Sequence, residues 1–286
     1  MAKHPDDGLL LVDKPAGMTS HDAVDRARRA LGTRRIGHGG TLDPFATGLL
    51  VLLVGRATRL LPFLDGEPKV YDATIAFGAE TDTDDLTGTV TATAPAPPRA
   101  AVEKAIDSLT GEIEQVPPAY SAKQVGGTRA YAAARRGQAL ALAAVPIRVA
   151  RWEVRAWREA ECDVTVVCGG GTYIRALARD LGRAAGSAAH LTALRRTASG
   201  GFSVRDAVAV DAITPAAERS PLEAIPRAER VALDAGARAR VARGMTIPRE
   251  GDAGALAAMV DDAGELVAVA EADGDVWQPR VVLVDG

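Results

Sequence analysis

The chain has 286 residues and a formal net charge of −3, from 37 Asp and Glu against 34 Lys and Arg. Hydrophobic residues make up 47% and charged residues 25%, ordinary globular proportions that exclude disorder as a description of the whole. Two cysteines are too few for a disulfide framework, and no apolar run approaches the roughly 20 residues of a membrane-spanning helix. The first eight residues carry no apolar stretch, so no secretory signal is expected and a cytoplasmic address is the default.

In chain order, Gly8 to Val12 is a short apolar run closed by Asp13-Lys14-Pro15 and reads as a buried strand. Thr19 and Ser20 can cap a helix through Leu31 that stops at Gly32, with Ala23, Val24, Ala27, Ala30 and Leu31 on one face. Gly37 to Gly48 reads as a glycine-rich loop and Leu49 to Val54 as a second buried strand. Tyr71, Ala73, Ile75 and Phe77 alternate with Asp72, Thr74 and Ala76, the pattern of a half-buried strand. Thr89 to Thr93 is expected to continue that sheet.

The Pro-rich stretch Ala94 to Pro98 is a stiff connector, followed by a helix from Ala100 to Leu109. Gly126-Gly127 predicts a turn and Ala130 to Arg136 a short helix. Ile147 to Trp157 and Cys162 to Cys168 predict two antiparallel strands, with Cys162, Val164, Val166 and Cys168 facing the core. Thr172 is expected to cap a helix running to about Ala185. Past Pro226, short Val-rich runs, glycines and acids predict a small β-rich module. Strands joined irregularly by helices point to an α+β fold.

The overall charge hides an asymmetry. From Tyr120 to Arg205 there are 14 Lys and Arg against 5 Asp and Glu; from Glu250 to Gly286 there is 1 Arg against 9 acids. The first segment can face a polyanion and the last cannot easily do so.

Within Gly37 to Gly48, Asp43 precedes Pro44, which biases it to an extended backbone and presents its carboxylate from a fixed direction. Such a carboxylate can serve as a nucleophile or base, or simply as a turn-forming Asp. Asp43-Pro44-Phe45-Ala46-Thr47-Gly48 also has the Asp-x-x-x-Thr-Gly form of Mg²⁺-dependent phosphoaspartate enzymes, but Phe45 stands where those carry a further acid. His4, His21, His38 and His190 are scattered, so no metal site is expected; the acids from Thr81 to Asp85 read as a polar turn rather than a Mg²⁺ site.

The full twelve-residue string resembles the signature of the TruB family of tRNA pseudouridine synthases, with Asp43 in the catalytic position. Other blocks agree in the same order: Leu10 to Ser20, Lys69 to Ala73, Thr81 to Asp85, Pro117 to Ala122, Gly171 to Arg175 and His190 to Arg196. The resemblance runs collinearly from about residue 9 to residue 225. Gly169-Gly170 and Asp72 depart from it, standing where basic or hydroxyl side chains are common.

The resemblance implies a mixed, largely antiparallel central sheet flanked by helices over residues 1–226, and a PUA-like C-terminal module over 227–286. It implies a cofactor-free isomerase, monomeric, acting on the T stem-loop of tRNA at uridine 55. Asp43, Tyr71 and Arg175 would be catalytic. Arg175 is the cation that would keep Asp43 ionised, since a buried carboxylate loses its charge without one nearby. Tyr71 would stack on the flipped uracil, His38 would occupy the space the base vacates, Tyr173 and Leu194 would wall the pocket, and Lys14 would bind phosphate. Residues 120–205 would supply salt-dependent affinity for RNA. A catalytically silent RNA-binding or RNA-folding protein is the alternative from another class.

Overall fold

The computed structural model describes residues 7–121, 124–125, 128–129, 140–249 and 254–285. The N-terminal part contains β1 (Gly8–Lys14), α1 (Ser20–Leu31), β2 (Ile36–His38), β3 (Thr47–Val54), β4 (Lys69–Phe77), β5 (Ala79–Thr81) and β6 (Val90–Thr93). Then come α2 (Arg99–Ser108), β7 (Gly111–Gln115), β8 (Gln124–Val125), β9 (Thr128–Arg129), β10 (Val145–Arg158), β11 (Glu161–Cys168), α3 (Ile174–Ala184), β12 (Ala189–Ser199), β13 (Phe202–Ser203) and β14 (Val208–Ala209). The C-terminal part holds β15 (Glu229–Ala232), α4 (Ala235–Ala242), β16 (Ile247–Pro248), β17 (Leu256–Val260), β18 (Leu266–Asp273) and β19 (Val276–Val282).

The central sheet runs β14-β1-β3-β12-β4-β11-β10-β7, with β2 paired on β3 and β13 on β12. Only the β1–β14 and β3–β12 pairings are parallel, so the sheet is mixed and largely antiparallel. A second sheet runs β15-β17-β18-β19-β16.

Burial explains the two kinds of strand pattern. On one side of the central sheet, Leu10, Val12, Leu50, Leu52, Tyr71, Ala73, Ile75, Cys162, Val164 and Val166 form a core with α1, α2 and α3. On the other side of β1 and β3, Leu9, Leu11, Leu49, Val51 and Leu53 pack with Leu60, Leu222 and Ile225, with Ala258 and Val269 of the second sheet, and with Leu283 just after β19. Strands buried on both faces need apolar residues at every position, and β1 and β3 read as continuous runs. β4 and β11 bury one face only, so they alternate.

Helix α1 forms where its local signals place it. Thr19 and Asp22 make a reciprocal capping box, Ser20, Ala23, Val24 and Ala27 are buried, and Gly32 closes the helix at φ 67°. A cap of this kind contributes about 1 kcal/mol.

Several expectations are corrected. β2 occupies the start of the expected glycine loop, because Ile36 to His38 pair with Leu52 to Val54. β6 does not continue the central sheet; it pairs with β5 in a separate hairpin whose second strand is exposed at every position. Thr172 does not cap α3. Tyr173 holds the N-cap position without a side-chain cap, and its backbone N–H and C=O are both bonded to the Gln115 side-chain amide at 2.9 and 3.1 Å. α4, capped by Asp234, stands inside the β-rich module. The turn at Gly126-Gly127 and the helix at 130–136 lie outside the described residues.

Register brings one end of four strands together. Lys69 pairs with Cys168, Tyr71 with Arg196, and Arg196 with Gly48. The start of β3, the start of β4, the end of β11 and the end of β12 therefore share an edge. The loop before β3 carries Asp43 and the turn after β11 leads to Arg175.

Candidate active site

The loop from Gly39 to Gly48 is fixed by contacts on both sides of Asp43. Ser20 Oγ donates to the Leu42 carbonyl at 3.1 Å and accepts from the Leu42 N–H at 2.9 Å. The Gly17 N–H and the Lys14 ammonium both donate to the Pro44 carbonyl, at 2.8 and 3.4 Å. Arg196 donates to the carbonyls of Leu49, Gly40 and Thr41 at 2.7, 3.1 and 3.5 Å. Gly48 is at φ 102°, and a Cβ there would meet the Arg196 carbonyl oxygen at 2.2 Å, so the strand can approach β12 only through a glycine.

Held in this way, Asp43 faces Arg175. Nε and Nη2 of Arg175 donate to the two carboxylate oxygens at 3.0 and 2.9 Å, a fork-to-fork pair that fixes orientation as well as charge. The remaining donors of Arg175 are also placed: Nη1 on the Thr83 carbonyl at 2.8 Å, with Asp85 Oδ2 at 3.6 Å, and Nη2 on the Tyr120 carbonyl at 3.0 Å. The Arg175 side chain is 6% exposed, whereas that of Asp43 is 32% exposed. The cation is thus locked inside and the carboxylate is offered to solvent.

Tyr71 on β4 is buried, with its hydroxyl beside the Arg196 guanidinium; burial pushes its pKa up, so it is a neutral phenol at neutral pH. Leu194 on β12 is buried in the same core. Tyr173 is half-buried at the head of α3, and burial raises its phenol. His38 is half-buried at the end of β2, edge-on to His21 with ring centroids 5.8 Å apart. Burial, then His21 and Arg196, lower its pKa and keep the imidazole neutral.

Lys14 is not at the surface. It is 0% exposed, and its ammonium donates to the carbonyls of Pro15 and Met18 at 2.9 and 2.6 Å as well as to Pro44. An ammonium saturated by three carbonyls pins the loop instead of reaching for phosphate. Burial lowers its pKa to about 8, against the opposing effect of Asp43.

The acids from Thr81 to Asp85 are a polar turn tied to arginines. Asp85 faces Arg175, and Asp84 pairs with Arg179 at 2.9 Å. Arg179, Arg196, Asp84 and Gln115 were not anticipated in these roles. The spacing of four between Arg175 and Arg179 on one helix was the available signal for the second arginine; Gln115 left none.

A cavity of about 680 Å³ lined by Phe45, Thr47, Asp72, Arg155, Asp163 and Arg195 touches none of Asp43, Tyr71 and Arg175. Its acids are engaged, Asp72 by Arg155 at 2.8 Å and Asp163 by Thr74 at 2.8 Å.

Comparison with known proteins decides the family. Residues 28–174 match the family model of the TruB pseudouridylate synthase N-terminal domain, and residues 175–227 that of the tRNA pseudouridylate synthase B C-terminal domain. The chain belongs to the TruB family of pseudouridylate synthases. It is 46% identical over 288 residues to tRNA pseudouridine synthase B of Thermobifida fusca, covering 96% of this chain and 98% of that one. It is 44% identical over 288 residues to the Mycobacterium tuberculosis protein of the same name, covering 96% and 95%. Among solved structures, the crystal structure of a Cbf5-Nop10-Gar1 complex superposes with a TM-score of 0.73 at 25% identity, covering 99% of this chain and 86% of that one. The α+β pseudouridine synthase architecture with a PUA-like C-terminal sheet is therefore that of the TruB family. No helix among the described residues is long and apolar enough to cross a membrane.

Proposed function

We propose that the chain isomerises the T-loop uridine of tRNA, position 55 in tRNA convention, to pseudouridine, with Asp43 as the nucleophile. One observation carries the reading: a solvent-reachable carboxylate on a rigid loop, gripped at both oxygens by a buried arginine, in a chain of the TruB family. The names of its relatives support tRNA as the substrate.

The reaction breaks the N1–C1′ bond, forms C5–C1′, loses a proton from C5 and gains one at N1. The substrate supplies every atom, so no cofactor is needed. A base within a folded loop must first be flipped out, at a cost of a few kcal/mol that stacking and hydrogen bonds offset. In this reading Tyr71 stacks on the extruded uracil, Tyr173 and Leu194 wall the pocket, and His38 takes the space the base leaves. Tyr71 is a neutral phenol at pH 7, so its oxygen takes the C5 proton as its own hydroxyl proton leaves, and the proton that N1 gains closes the balance with the phenol regenerated. Residues 1–226 form the catalytic unit, 227–286 a PUA-like module, and the segment 120–205 holds the RNA backbone. The enzyme works as a monomer in the cytoplasm.

Mapping pseudouridine in a tRNA transcript after incubation tests this. A single new site at the T-loop uridine, lost when that uridine is replaced by cytidine, is the expected result. Modification elsewhere only would reject the assigned position.

A further inference from the structure

Two arginines one turn apart on α3 grip adjacent aspartates of one turn. Arg175 faces Asp85 and takes the Thr83 carbonyl, while Arg179 pairs with Asp84. Asp84 is 6% exposed and sits at φ 60°, a left-handed backbone that non-glycine residues rarely adopt and that Asp tolerates better than most. Its N–H donates to the Thr81 carbonyl at 3.1 Å and its carbonyl accepts from Leu191 on β12 at 3.1 Å. Arg179 spends its other donors on the Val116 carbonyl at 2.8 Å and on Asp180 at 2.9 Å. The turn that supplies two of the acceptors around Arg175 is thus anchored to the helix that carries Arg175.

We propose that Asp84 and Arg179 are positioning residues for the Asp43–Arg175 pair, fixing the 81–85 turn against α3 so that the guanidinium of Arg175 has one orientation. The proposal rests on Asp43 being the nucleophile. Without the Asp84–Arg179 anchor, the Thr83 carbonyl and Asp85 can drift, and Arg175 can turn its fork away from Asp43. Misplacement of a reacting group by about 1 Å can cost on the order of 100-fold in rate.

The pair also has a pH signature. Burial raises the Asp84 carboxyl to about 6; the groups facing it are Arg179, Arg175, Asp180 and Arg183 of α3. Glu80 on β5 is already engaged by Arg183 at 2.6 Å, Asp82 accepts from the Thr89 N–H, and His190 on β12 is bonded to the Ala79 carbonyl. Above about pH 6 Asp84 is charged and paired; below it the carboxyl is neutral and the grip of Arg179 weakens. A carboxyl whose folded pKa exceeds its unfolded value costs stability when ionised, and that cost fades as pH falls from 6 towards 4. Acidification through pH 6 should therefore slow the reaction while this group does not destabilise the fold, a split that a purely structural role would not produce.

The test is single-turnover release of C5 tritium from a T-loop RNA between pH 5 and 8, with RNA affinity and thermal midpoint measured in parallel. Asp84→Asn and Arg179→Met should each lose about tenfold or more in rate at pH 7.5, with affinity within about threefold. The wild-type rate should fall near pH 6, a limb that Asp84→Asn lacks. A folded variant turning over within about twofold of wild type would overturn the pairing alone. If neither variant folds, the wild-type profile decides: a fall near pH 6 with the thermal midpoint held supports the pairing, and a flat rate from pH 5 to 7 overturns it. No release from wild type would overturn the functional reading, and the pairing with it.

Discussion

Gly48 and Arg196 lie backbone to backbone where β3 meets β12: a Cβ on Gly48 would come within 2.2 Å of the Arg196 carbonyl oxygen and 2.8 Å of its nitrogen. That contact lets one arginine on β12 reach three carbonyls of the Asp43 loop and its following strand. Gly48→Ala is expected to force the strands apart at φ 102°. The cost should exceed the roughly 1 kcal/mol of an ordinary Gly-to-Ala mismatch. A thermal melt should show a fall of several degrees, and turnover should drop further than stability explains.

Arg175 is matched to Asp43 by shape as much as by charge. Arg175→Lys keeps a positive charge but cannot meet both carboxylate oxygens and the two carbonyls, so it should be clearly impaired. Arg175→Met should lose far more single-turnover rate than RNA affinity. If both variants lost affinity alone, Arg175 would be a phosphate contact.

Lys14 should show its burial in a pH titration. Its pKa is lowered to about 8, against 10.5 for an ordinary lysine. The charged form is penalised in the folded state, so this group's cost to stability is fully present below about pH 8 and is relieved as pH rises towards 10.5. Lys14→Met removes that penalty but leaves three carbonyls without their donor, each such loss costing about 1–3 kcal/mol. The variant should be less stable than wild type at pH 7, and the gap should widen between pH 8 and 10. A variant of wild-type stability would show that water replaces the ammonium at no cost.

The positive balance of residues 120–205 overstates the charge available to RNA. Within it, Arg155 holds Asp72, Arg175 holds Asp43, Arg179 holds Asp84, Arg183 holds Glu80 and Arg195 holds Asp13. Arg135 and Arg136 should then carry a larger share of phosphate binding. Neutralising both should flatten the salt dependence of log K by about 0.7 to 0.9 for each contact removed. Removing the C-terminal module is not a clean comparison, because Ala258, Val269 and Leu283 cover Leu9, Leu11 and Val51. Asp262→Asn with Glu265→Gln, both exposed, is the better control and should leave the slope almost unchanged. A large slope change from the control and none from the arginines would reverse the assignment.

The pattern of β1, β3, β4 and β11 was legible because burial on one or two faces writes itself directly into apolar periodicity. The α1 ends were legible because Thr19 and Gly32 act within one turn of the helix, whereas the reciprocal bond from Asp22 came from the structure. Asp43 and Arg175 were marked by motif, and their pairing across 132 residues is a product of strand register. What stayed hidden depends on distant partners. Lys14 reads as a phosphate contact until the three carbonyls around it are in place. Gln115 takes the place at the start of α3 that Thr172 was expected to fill. α4 has Gly236 inside it and buries only Val241, so its periodicity carried no signal.

Tritium release from C5 of a T-loop uridine by Asp43→Asn most directly tests whether Asp43 is the nucleophile. The amide keeps the size of the side chain and can still accept from Arg175, so fold and RNA affinity should be preserved. Release should be abolished, because an amide cannot replace the carboxylate in attacking the uridine. Near-normal release by a folded Asp43→Asn enzyme would contradict the assignment of Asp43 as the nucleophile.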